Sequence, residues 1–125
     1  MSVSMEFEAY VQDLLEPMGP IVIRRMFGGA GVYCRGAMFA LIADDTLYLK
    51  AGPDSSGAFR ALGCEPFCYE DGNGRVASMS YYELPPHLHD DRSELMDWAQ
   101  QSLDIAIHAR LNRPAPRRRR PALRR

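Results

Sequence analysis

No stretch of this 125-residue chain approaches the roughly 20 consecutive apolar residues that a membrane helix needs. The opening MSVSMEFEAY lacks the basic start and apolar core of a secretory leader. Cysteine is scarce and odd in number, at three, which suits reduced thiols better than a disulfide framework. These absences together predict a cytoplasmic protein with no membrane partner. Signatures of catalysis are missing as well: no working carboxylate pair, no His-Asp-Ser order and no phosphate cradle. Gly28-Gly29-Ala30-Gly31 lacks the Gly-Lys-Ser/Thr ending of a phosphate loop, and strands flank it, so a turn or bulge explains it better. Cys64, Cys68, His87 and His89 make a poor zinc set, because H-x-H on a proline-rich loop is unusual for a structural site. A cysteine on a strand is more often a small core hydrophobe. The expectation is a protein that is not an enzyme and carries no cofactor and no metal.

What is present begins with charge. The net −1 conceals a strong asymmetry. Residues 1–109 hold seven Lys/Arg against 16 Asp/Glu, a net −9, while residues 110–125 hold eight arginines and no acid. From Arg113 onward the chain reads RPAPRRRRPALRR, and its prolines and like charges predict a disordered tail over 113–125. Arg117, Arg118, Arg119, Arg120, Arg124 and Arg125 form a candidate arm for DNA or another polyanion. The plainer alternative is a solvated terminus. The tail has no aromatic residue on which bases would stack, which speaks against specific single-strand binding.

Hydrophobic spacing predicts the architecture of 1–112. Phe7, Tyr10, Val11, Leu14 and Leu15 share one helix face, and Pro17, Gly19 and Pro20 end that helix. Strands are expected at Ile21–Arg25, Ala30–Cys34, Ala37–Ala43 and Thr46–Lys50. The two-residue links Arg35-Gly36 and Asp44-Asp45 force antiparallel neighbours. A short helix from about Pro53 to Gly63 buries Ala58, Phe59 and Leu62. A second hairpin, Pro66–Glu70 with Arg75–Glu83, turns around Asp71-Gly72-Asn73-Gly74. Asp91 with Glu94 resembles a capping box, opening a last helix whose stripe is Leu95, Trp98, Ala99, Leu103, Ala106 and Ile107. The predicted fold is α+β, with helices packed on an antiparallel sheet of five to six strands, in the order α-β(3–4)-α-β(2)-α.

Several segments carry a family resemblance. Arg24-Arg25-Met26-Phe27-Gly28-Gly29, Met38-Phe39-Ala40-Leu41 with Leu47-Tyr48-Leu49-Lys50, Pro66-Phe67, Ser78-Met79-Ser80-Tyr81-Tyr82 and Trp98-Ala99 resemble, in this order, the N-terminal domain of the TfoX/Sxy family. The resemblance runs from about Met5 to Asn112. It implies an α/β sandwich similar to that of secretion chaperones, and a regulatory role in bacterial natural competence. Longer family members carry a second, helical domain where this chain has its arginine tail. They are thought to assist a cyclic-AMP receptor protein at competence promoters, so the resemblance implies a transcription factor of that type as partner.

Most matched positions are apolar or turn residues that any such fold needs. The exceptions are Arg24, Arg25, Lys50, Tyr81 and Tyr82, a candidate binding surface. The alternative is that Arg25 pairs with an acidic neighbour and the tyrosines pack the sheet. Two functions stay open. One is a non-enzymatic regulator of transcription acting through protein or DNA contact. The other is a homodimeric protein-binding adaptor with no nucleic-acid role.

Overall fold

Tight turns with left-handed backbone set the architecture. Arg35 and Gly36 have φ of 52° and 78°, and Asp44 and Asp45 have φ of 55° and 52°. That twist lets a two-residue hairpin close without splaying its strands. The structure is a computed structural model that describes residues 4–26, 28–70 and 76–111. Phe27, the turn expected at 71–74 and the tail expected over 113–125 lie outside the described residues.

Helix α1 (Met5–Leu14) starts where the Ser4 hydroxyl accepts from the Phe7 N–H. A 3-10 turn at Glu16–Met18 and Gly19, at φ 99°, carry the chain out of it. Strands β1 (Val22–Met26), β2 (Gly29–Cys34), β3 (Ala37–Ala43) and β4 (Thr46–Lys50) follow as an antiparallel meander. Helix α2 (Ser56–Ala61) leads to β5 (Pro66–Glu70), and β6 (Val76–Glu83) returns beside β4. The sheet order is β1-β2-β3-β4-β6-β5. Helix α3 (Arg92–Leu111) closes the domain, its start capped by the Asp91 carboxylate, which accepts from the Glu94 N–H at 3.1 Å. The α+β order is thus the one the spacing predicts.

Two local expectations change. Helix α2 is shorter than Pro53 to Gly63, and of its three proposed buried residues only Phe59 is buried. Leu62 is 50% exposed, because a helix of under two turns turns too narrow a face to the core. Glu94 does not complete the capping box: its carboxylate accepts from the Trp98 indole and meets the His87 ring instead.

All three helices bury their apolar faces in one layer. Val11, Leu14 and Leu15 come from the α1 region, Phe59 from α2, and Leu95, Ala99, Leu103 and Ala106 from α3. They meet Val32, Phe39, Ala40, Ile42, Leu47 and Leu49 from the sheet. Each large apolar side chain in this layer contributes roughly 1.5–3 kcal/mol by leaving water. One extra residue on β3, Phe39, faces the Val32/Tyr33 step of β2, and this bulge keeps both Phe39 and Ala40 fully buried. The buried Ser102 hydroxyl on α3 donates to the Lys50 carbonyl at 2.8 Å, tying the last helix to β4. No helix among the described residues is long and apolar enough to cross a membrane.

Candidate functional site

The glycine cluster is built for packing. Gly28 takes φ 79° in the turn before β2, and a Cβ at Gly29 would run into the Ile42 carbonyl. A Cβ at Gly31 would collide with the side chains of Met26, Met38 and Tyr33. Gly29 and Gly31 therefore answer to strand neighbours and Gly28 to its turn, with no helix N-terminus among the described residues behind the cluster to receive phosphate.

Strand alternation divides the five candidate surface residues between the two sides of the sheet. Arg25 shares a side with Ala30, its register partner on β2, and therefore faces the helices. Its Nε lies 3.1 Å from a Glu8 carboxylate oxygen on α1. Tyr82 also faces the helices, stacking on Phe59 with ring centroids 5.4 Å apart and accepting from Arg60 at 3.1 Å. These two contacts match the structural alternative for those residues.

Arg24, Lys50 and Tyr81 lie on the opposite side, where the second apolar cluster sits: Leu41, Ala43 and Tyr81, flanked by Met38, Tyr48 and Phe67. No helix among the described residues contributes to that cluster. The Lys50 ammonium stands 5.0 Å from the centre of the Tyr81 ring, and the Arg24 guanidinium 5.8 Å from that of Tyr33. Tyr48 and Phe67 meet edge to face at 5.3 Å. The Tyr81 hydroxyl donates to the Met38 carbonyl at 3.2 Å, and burial, with Tyr33 beside it, pushes its pKa up to about 12. Tyr48 is also raised, by burial first and then by the Glu83 and Asp44 carboxylates. The face thus combines aromatic rings, flexible thioethers and charges at its margins, a composition suited to contact with another macromolecule. Tyr33, Tyr48, Met38 and Phe67 were not among the candidate surface residues read from the sequence, although the alternation Leu47, Tyr48, Leu49, Lys50 carries the signal for Tyr48.

Elsewhere the chemistry is quiet. A cleft of about 290 Å³ opens between Phe7, Asp45, Leu62, Cys64, Glu83 and His89. Burial, then Glu83, raises the Cys64 thiol pKa, which opposes formation of a reactive thiolate. His89 Nδ1 is engaged by the Tyr10 hydroxyl at 2.7 Å and His87 Nε2 by a Glu94 carboxylate oxygen at 3.3 Å. Among the described residues no three His, Cys, Asp or Glu side chains gather as a metal-holding group. At the end of α3, Arg110 donates to the Gly36 carbonyl at 2.7 Å, which ties the end of this helix to the β2–β3 turn.

A family model described as the TfoX N-terminal domain matches residues 13–106. The DNA transformation protein TfoX1 of Aliivibrio fischeri (strain ATCC 700601 / ES114) is 28% identical over 92 residues, which cover 74% of this chain and 44% of that relative. The chain therefore spans less than half the length of the curated relative it matches.

Proposed function

The chain belongs to the TfoX N-terminal domain family, a competence-related regulator family, and from that premise we propose that it is a non-enzymatic regulatory domain acting in transcription through protein and DNA contact in the cytoplasm. Residues 1–112 serve as the domain, and 113–125 as an arm whose arginines Arg117 to Arg120, Arg124 and Arg125 supply general affinity for DNA. The domain supplies the specific contact, with a transcription factor of the cyclic-AMP receptor type as the partner. The observation that carries this reading is the family match across 94 residues of the chain, from 13 to 106.

The test is DNA affinity over a salt series, comparing the full chain with one in which Arg117 to Arg120 are serine. An electrostatic arm predicts a log–log salt slope near −0.9 per phosphate neutralised, shallower by roughly 3–4 in the variant. Equal slopes for the two proteins remove the arm from the proposal.

A second reading draws on the charge of residues 1–109, net −9, which opposes a polyanion at the body of the domain. In that reading the protein is a homodimeric adaptor for another protein with no nucleic-acid role. Absence of DNA binding by the full chain at low salt selects it.

A further inference from the structure

We propose that the helix-free face of the sheet docks a second copy of this chain, related to the first by a two-fold axis running along β3 at Leu41. The observation is a single cross-strand row. Register pairs Arg24 with Gly31, Gly31 with Leu41, Leu41 with Tyr48, and Tyr48 with Glu83, so the row runs from β1 to β6 with Leu41 at its centre. Its ends carry opposite charges, Arg24 on β1 and Glu83 on β6, the Glu83 carboxylate lying at the rim of the cleft where it also accepts from the Glu65 N–H at 3.5 Å.

A two-fold axis along the central strand lays the row on itself reversed, as an isologous contact requires. Arg24 then faces Glu83 of the second copy, and Leu41 faces Leu41. Gly31 faces Tyr48, and because Met26, Met38 and Tyr33 crowd over Gly31, the incoming phenol ring lands on thioethers, a favourable sulfur–aromatic contact. Like charges do not meet anywhere along the row. Along this row a polyanion would match only the Arg24 end. Val22, 56% exposed and on the same side as Tyr33 by register, lies at the margin of this face and gains burial in the pair.

The footprint is modest. Strand spacing and rise give roughly 400–500 Å² per copy, against about 800 Å² per partner for a standard interface. The association is therefore weak and dependent on concentration. It stands apart from the regulatory reading, since self-association and DNA binding are read in separate experiments.

Analytical ultracentrifugation of the full chain, from about 10 to 500 μM at low salt, tests it. The expected result is a monomer–dimer equilibrium that Arg24→Glu and Glu83→Arg each weaken about tenfold or more, while the double swap restores it to within a few fold. Val22→Lys weakens it as well. Far-ultraviolet circular dichroism of each variant separates a lost interface from a lost fold, and Arg24, an exposed edge residue, leaves the core untouched. A monomer throughout, or single reversals without effect, overturns the proposal. So does a dimer tightened by Arg24→Glu and weakened by Glu83→Arg, the signature of the arginine tail gripping an acidic neighbour.

Discussion

The Tyr81 hydroxyl reaches across β4 to donate to the carbonyl of Met38 on β3, at 3.2 Å. This bond sits beneath a face that no described helix covers, and it holds the ring flat under the Lys50 ammonium. A phenylalanine keeps the ring and loses the bond. Tyr81→Phe is expected to cost about 1 kcal/mol, read from the urea midpoint.

The same phenol makes stability depend on alkaline pH. Its pKa is about 12 in the fold against an ordinary 10.0, so the folded state binds the proton more tightly than the unfolded chain. That contribution is complete below about pH 10 and is lost as pH rises toward 12, amounting to roughly 2–3 kcal/mol at most. Tyr10 and Tyr48, also raised, act in the same direction. Urea titrations between pH 9 and 12 should show the decline, and Tyr81→Phe should flatten it. An unchanged slope in the variant would assign the effect elsewhere.

Phe59 is the one buried residue of α2, and it is wedged between Trp98, at 4.9 Å and edge-on, and Tyr82, at 5.4 Å and stacked. Phe59→Ala should cost about 3–5 kcal/mol and Phe59→Leu closer to 1. Trp98 is the sole tryptophan, so its fluorescence reports the same site during unfolding. A small cost for alanine would mean that the α2 region collapses onto the gap.

Ser102→Ala removes the buried hydroxyl that donates to the Lys50 carbonyl at 2.8 Å and ties α3 to β4. The expected loss is about 1–3 kcal/mol, with the fold retained. Ser102→Thr, which restores a hydroxyl, should recover part of it in thermal melts.

Arg35 holds φ 52° without being glycine or asparagine, next to Gly36 at 78°. Arg35→Asn creates the favoured hairpin pair and should stabilise the protein by about 0.5–1 kcal/mol. Gly36→Ala should do the reverse, since its Cβ meets the Arg110 guanidinium and the left-handed backbone disfavours it. Differential scanning calorimetry of the pair checks both signs.

Local chemistry alone determined much of this protein. Periodicities of 3.6 and 2 placed the helices and strands within a few residues, and paired turn residues dictated antiparallel order, because such effects act over a handful of neighbours. The family was legible for the same reason, in short segments that the fold itself requires. The single candidate surface joined Arg24 to Arg25 and Tyr81 to Tyr82, although such neighbours are sent to opposite sides by strand alternation. Alternation left open which side the helices would cover. Leu41 and Ala43 look like core residues, yet they belong to the helix-free face, since β3 is buried on both sides at the centre of the sheet. Only tertiary packing decided that Arg25 and Tyr82 join the helices while Arg24, Lys50 and Tyr81 gather with Tyr33, Tyr48 and Phe67. The physical reason is that α1, α2 and α3 all bury their stripes on one side, a choice made by contacts distant in sequence that no local pattern records.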